Sequence, residues 1–324
     1  INIIQNRFIT KEYDYINFNS NDKLPLTEKK TIIKNISGLM AAKLGDFCVN
    51  STDNLIISKF VDLASVAIYS NYILLRNLVN GYIGILFGAI TSSFGNLVAE
   101  GDNKKSLEVF NILFLLSFII YSFEAVSFIC LFNPFIGDLW IGKEYLFPIH
   151  VVLAIVINNY LTGLRMPIIT MKSAAGIYVE DAWVPFGFAI INLGVSIILG
   201  KYWGVFGVIV GSIIGSICTA DWFRPIVIFR KVFKVSSWDY FKNYFKYIVL
   251  GLAYMFISVE ICNIISVSNI FINFVLRCFI CVFVPNIITI LLFFNTSEFK
   301  YLYNVFSNMF LSKIVSKFRR KENA

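Results

Sequence analysis

The stretch GFAIINLGVSIILGKYWGVFGVIVGSIIGS, residues 187 to 216, carries a single charge, Lys201. Two apolar runs lie on either side of LGKYWG, each near the length of about 20 residues that a membrane helix needs. The second run repeats glycine at Gly204, Gly207, Gly211 and Gly215, a seam that lets another helix approach closely. This segment reads as two membrane helices back to back, and the rest of the chain follows the same pattern. Of the 324 residues, 57% are hydrophobic and 15% charged, against roughly 45 to 50% and 25% in a soluble domain.

The hydropathy pattern predicts an all-α, polytopic transmembrane bundle of eight spans, near residues 33–57, 65–95, 107–131, 146–165, 183–200, 204–226, 245–265 and 270–294. Lysine and arginine divide unevenly among the connections. One side receives Arg7, Lys11, Lys23, Lys29, Lys30, Lys34, Lys104, Lys105, Arg165, Lys172, Arg224, Arg230, Lys231, Lys234, Lys242 and Lys246, as well as the basic tail. The other has Lys143 and Lys201. Positive charge is retained in the cytoplasm, so both termini are expected there. All five tryptophans fall near span ends, Trp140 and Trp203 outside and Trp183, Trp222 and Trp238 inside.

The chain divides into a polar segment at 1–30, a six-helix unit at 31–232, a final helix pair at 233–295 and a basic amphipathic tail at 296–324, suited to the anionic inner leaflet. The loop-like opening suggests that a longer protein precedes it. The single histidine, His150, and six scattered cysteines show no metal-ligand spacing, so no metal site or cofactor is expected. The cysteines, Cys278 and Cys281 included, read as small hydrophobes in packing positions. The net charge of +8 has a topological explanation, and no aromatic-basic groove supports nucleic-acid binding. Neither a large outer loop nor a soluble catalytic domain is visible, so no enzyme activity is expected.

Polar residues inside spans are the candidates for function, because an ionisable group at the bilayer centre costs about 2.5 to 3.5 kcal/mol unless it meets water or a partner. In the first span Asn35, Lys43, Asp46, Asn50, Asp53 and Asn54 share one helical face. Such a face lines a watery cavity, or its Lys43 and Asp46 neutralise each other three residues apart. Lys59 and Asp53, near the outer end, can also snorkel.

In the second span Asn77, Gly81, Gly84, Gly88, Ser92 and Gly95 form another small-residue seam, expected to pack a helix. Beside it lie Tyr69, Tyr72, Arg76 and Asn80. Arginine cannot shed its charge, so Arg76 must meet water, an anionic ligand, or an acid such as Asp46 or Glu124. Arg165 and Arg224 close spans and read as contacts to lipid phosphate. Pro148, Pro185 and Pro285 are candidate kinks.

The runs NSTDNLIISKF (50–60), AIYSNYILL (67–75), SSFGNLVAEGD (92–102), SAAGIYVEDAWVP (173–185), IINLGVSIILGKYWGVFGVIVGSIIGS (190–216) and RKVFKVSSWDYFKNYFKYIV (230–249) resemble bacterial polysaccharide repeat-unit flippases of O-antigen and capsule synthesis. These form part of the multidrug, oligosaccharidyl-lipid and polysaccharide exporter superfamily. The resemblance covers nearly all of residues 30 to 295. It implies the C-terminal lobe and final pair of a fourteen-helix transporter of the bacterial inner membrane, without the N-terminal lobe. The implied substrate is a polyprenyl-pyrophosphate-linked oligosaccharide, with membrane lipids and the glycan polymerase and chain-length machinery as further partners.

On this reading Lys43, Arg76, Asn50, Tyr72 and Asn80 are candidates for the substrate cavity. Asp46, Asp53 and Glu124 are candidates for a coupling proton or sodium ion. A multidrug or toxin extruder of the same superfamily, a membrane glycan enzyme, and a non-transporting scaffold or remnant are the competing readings.

Overall fold

The computed structural model describes residues 25–308 apart from 266; side chains at 31, 35, 39 and 41–51 are not described. The described residues are predominantly helical, with no strand among them. The helices are α1 (Leu26–Phe60), α2 (Leu63–Ala99), α3 (Asn103–Pro134), α4 (Ile149–Leu164), α5 (Met166–Ala174), α6 (Val184–Cys218), α7 (Ala220–Ile228), α8 (Trp238–Ile264) and α9 (Ile270–Phe293). Six helical stretches are long and apolar enough to cross a membrane, a set compatible with a multi-pass membrane protein.

The quoted stretch at 187–216 folds back on itself. Gly204 adopts φ 59° and ψ −141° inside α6, a region that essentially only glycine populates, and the chain reverses there. The two arms then run antiparallel in close contact. A Cβ added at Gly207 would meet the Leu199 carbonyl, one at Gly211 the Ser196 side chain and backbone, and one at Gly215 the Asn192 nitrogen at 3.2 Å. The glycine seam therefore does pack a helix: the preceding arm of its own hairpin. Side chains as well as backbone use this closeness, since the Ser196 hydroxyl donates across the arms to the Val208 carbonyl at 3.0 Å.

The seam on α2 behaves differently. Nothing lies within 4 Å of a Cβ built at Gly81, Gly84 or Gly88, and only the Ala174 carbonyl, at 3.9 Å, meets one at Gly95. Close packing was expected along this face; among the described residues it stands open. A stripe of small residues permits close approach but supplies no partner, and α2 lies at the edge of the bundle.

The core is built around α3. Phe110, Phe114 and Phe118 recur every fourth residue, and Tyr240, Tyr247 and Tyr254 on α8 every seventh, so each set lies along one face. Phe114 stacks on Tyr240 at 5.0 Å, Phe118 stacks on Tyr247 at 4.5 Å, and Phe118 meets Tyr254 at 5.7 Å. Residue numbers rise together in these pairs, so α3 and α8 run parallel. On α9, Phe293 reaches Phe118 and Tyr247, while the Cys281 thiol approaches the Val126 carbonyl. Cys130, Cys262 and Cys281 are all buried, as expected of packing residues.

The prolines mostly start helices. Pro148 is the N-cap of α4, and Pro185 sits in the first turn of α6, where the missing N–H is harmless. Of the three candidate kinks, only Pro285 lies beyond the first turn of a helix.

Loops gather at two ends. At one, the Lys201 ammonium lies 5.4 Å from the Phe60 ring centroid, and Phe206 meets both His150 and Trp203. At the other, Gly38 abuts the Tyr178 backbone and Phe110 packs on Phe233 and Tyr240. The second end also carries Lys104, Lys105, Lys172, Arg224, Lys231 and Lys242. The charge asymmetry is thus a property of the fold. All five tryptophans are exposed, between 43% for Trp140 and 65% for Trp238.

Candidate functional site

A cavity of about 760 Å³ opens among α1, α2, α4, α6 and α7. Its wall is polar within a chain that is otherwise oily. Asp53 and Asn54 come from α1, Tyr69, Arg76, Asn77 and Asn80 from α2, Asn158, Asn159 and Thr162 from α4, and Ser212 and Ser216 from the second arm of α6. Arg165 at the α4–α5 junction and Arg224 on α7 complete it. The wall thus holds three guanidinium groups and one carboxylate among its charged groups.

The three arginines are held in different ways. Arg165 Nη1 pairs with Asp221 Oδ1 at 2.6 Å, and its Nη2 donates to Thr162 Oγ1 at 2.9 Å. Arg224 Nε pairs with Asp181 Oδ2 at 2.9 Å, an oxygen that Lys172 Nζ also reaches at 2.6 Å. Both acceptor carboxylates are buried. Arg76 makes no ion pair among the described residues; its Nη2 and Nε donate to the neighbouring Asn77 Oδ1 at 3.0 and 3.3 Å. At their span ends, Arg165 and Arg224 would be expected to contact lipid phosphate. The structure instead turns both into the cavity, because buried carboxylates on α7 and in the 175–183 connection draw them inward.

Asp181 also fixes that connection to α5 and α7. Next to it, Glu180 Oε1 accepts from Lys231 Nζ at 2.5 Å, and this contact holds the Glu180 carboxyl below its ordinary range. Replacing Asp181 by alanine leaves the Arg224 charge largely buried without its carboxylate. The expected loss is about 3 kcal/mol or more, read as a fall in the thermal midpoint of the purified protein; Glu180→Ala, at a half-exposed pair, should change it by less than about 1 kcal/mol.

Asp53 sits where α1 crosses the α6 hairpin. The Ser212 hydroxyl lies 3.3 and 3.4 Å from the two Asp53 oxygens and 3.3 Å from Asn192 Oδ1. Ser196 Oγ lies 2.6 Å from the same Asn192 oxygen. Ser212 has one hydrogen and three acceptors within reach, so this niche has more oxygen lone pairs than hydrogens to meet them. Asp53 therefore faces a built polar site, and the snorkelling account of it does not hold. Lys59 is exposed, with its ammonium 5.8 Å from the Phe60 ring centroid.

The remaining candidates separate clearly. Asn80 and Arg76 line the cavity. Tyr72 does not: it is fully buried on the other side of α2, donating to Asn133 Oδ1 at 2.7 Å and accepting from Phe147 N at 3.0 Å. It pins the 132–148 connection to α2, while Tyr69, three residues earlier, reaches the cavity. Glu124 is buried at 3% exposure behind the wall, with Oε1 accepting from Asn80 Nδ2 at 3.1 Å. The side chains of Lys43, Asp46 and Asn50 lie outside the described residues.

Asn158, Asn159 and Thr162 line the cavity although none is among the residues expected there. Their signal is present in VINNYLTGLR (156–165), where two consecutive amides interrupt an apolar span. No family model matches the chain, and neither a curated protein nor a solved structure matches it.

Proposed function

We propose that this chain is the C-terminal part of a bacterial inner-membrane flippase for polyprenyl-pyrophosphate-linked oligosaccharide repeat units, crossing the membrane eight times with both ends cytoplasmic. Counting each arm of the Gly204 hairpin and α1 as passes supports the number eight. The greater density of lysine and arginine at the second end of the bundle supports the orientation.

The observation that carries the reading is the cavity wall. Three arginines face one aspartate across a polar space within apolar helices. A diphosphate loses hydration on entering such a space, and guanidinium forks replace it with bidentate hydrogen bonds. Arg76 is the first contact, because among the described residues its charge has no carboxylate to leave. Arg165 and Arg224 join by sharing themselves between Asp221 or Asp181 and the ligand. The cluster of asparagines suits sugar hydroxyls, which need donors and acceptors together. The lipid tail stays in the bilayer. Asp53 with Ser212 and Asn192 is the niche for a coupling proton or sodium ion, and it ties α1 to both arms of α6, so its occupancy bears on their relative position.

Deleting the intact gene tests this reading against the extruder alternative. Lipid-linked glycan should accumulate on the inner leaflet. Unchanged surface glycan together with accumulation of a drug would overturn the flippase assignment.

A further inference from the structure

Glu124 is a carboxyl group that the cavity reading leaves without a task. It projects from α3, the helix at the centre of the bundle, and is 3% exposed. One oxygen accepts from Asn80; the other, Oε2, has no partner. No lysine or arginine pairs with it among the described residues. An ionised carboxylate so placed would carry most of its desolvation penalty uncompensated, whereas the neutral acid would not.

The surroundings tell what would change on ionisation. The Asn80 amide nitrogen also lies 2.9 Å from Asn159 Oδ1 and 3.1 Å from the Arg76 carbonyl, so one amide joins α2, α3 and α4. Asn80, Asn159 and Arg76 all line the cavity, with Glu124 directly behind them. Arg76, one turn before Asn80 on α2, is the charged group acting on Glu124. On its own helix Tyr121 is the titratable neighbour, and α4 brings the neutral Asn159. The helices α8 and α9 meet other faces of α3, with Tyr254 against Phe118 and Arg277 against the Cys130 carbonyl. From α1, Asp53 acts on Arg76 as well.

We propose that Glu124 is a proton-binding site that competes with the anionic ligand for Arg76, so that ligand and proton are taken up together. With the acid form, Asn80 holds the neutral carboxyl and Arg76 is left to the cavity. When the proton leaves to water in the cavity, the carboxylate draws the Arg76 guanidinium toward itself, and the cavity loses the arginine that has no ion pair among the described residues. This deepens the flippase reading and rests on it: a diphosphate bound to Arg76 favours protonated Glu124, and protonation of Glu124 favours binding.

The test uses the intact protein in detergent with farnesyl diphosphate as the probe, measured by calorimetry in two buffers of different ionisation heat across the neutral pH range. Wild type should take up more proton per bound probe than Glu124→Gln, by up to one. Its affinity should weaken with rising pH more steeply than that of the variant, by up to about tenfold per pH unit. Comparison with the variant removes the probe's own ionisation. Glu180→Gln, whose carboxylate pairs with Lys231 outside the cavity, should keep the wild-type difference.

Binding with equal proton uptake in wild type and Glu124→Gln overturns this inference and leaves the flippase reading standing. Proton uptake that persists in Glu124→Gln but is lost in Asp53→Asn moves the linkage to Asp53 and also overturns it. Absence of binding at every pH overturns the cavity reading itself, and this inference with it. Should Glu124→Gln fail to fold, wild type binding with no proton uptake beyond that of the free probe's own ionisation would still refute it.

Discussion

On the proposed flippase reading, Arg76→Ala in the intact protein is expected to lower delivery of lipid-linked glycan to the outer leaflet by about thirtyfold or more. Removing one partner of a desolvated, hydrogen-bonded charge pair costs about 2 kcal/mol or more, and each 1.4 kcal/mol is a factor of ten. Arg76 is the arginine on the cavity wall with no carboxylate of its own among the described residues. Its replacement therefore removes charge from the cavity without breaking an ion pair among the described residues. Arg76→Lys should fall between, since an ammonium keeps the charge and loses the planar fork. Tyr72→Phe is the informative contrast: it lies on the same helix but bonds Asn133 and the Phe147 nitrogen. That variant should lose stability before it loses transport. Surface glycan at its normal level in Arg76→Ala, with the protein present in the membrane, would remove Arg76 from the substrate site.

Gly211→Leu should prevent the folded protein from accumulating at all. A Cβ at this position would lie against Ser196 Oγ and within 2.8 Å of the Ser196 backbone nitrogen and Cα. Backbone atoms in a helix cannot yield by that much without separating the arms. Separation would also break the Ser196 bond to Val208 and the Ser212 bonds to Asn192 and Asp53. Overpacking of well-packed sites costs about 1 to 3 kcal/mol, and here the lost polar contacts add to it, since each buried group left unmade costs a further ~1 kcal/mol or more. Gly88→Ala tests the reasoning from the other side. No described residue lies within 4 Å of a Cβ there, and alanine is the better helix former by roughly 1 kcal/mol. Its thermal midpoint should match or exceed wild type, measured by fluorescence-detected melting in detergent. Equal tolerance at both glycines would refute the hairpin packing.

Two glycine seams that look alike in the sequence thus have opposite fates. Both repeat small residues at three- and four-residue steps. The seam of α6 is matched because the chain turns at Gly204 and brings its own preceding arm alongside; the seam of α2 has no such return. The pair Arg165 and Arg224 illustrates the same separation. Their positions at span ends made lipid contact the natural expectation, yet Asp221 and Asp181, distant by 56 and 43 residues, draw them to the cavity.

What the amino-acid order determined by itself is therefore local and periodic: apolar runs long enough for a membrane, the asymmetry of lysine and arginine, the tryptophans at helix ends, and the faces on which Asp53, Arg76 and Asn80 lie. These follow from helical geometry and transfer free energy, which act within one segment. Tertiary structure alone decided which faces meet. Asp53 joins Ser212 across 159 residues, and Asn80 joins Glu124 and Asn159 across 44 and 79. Such pairings arise because buried polar groups must find partners once the helices pack, and nothing in the spacing along a single helix says which partner will arrive.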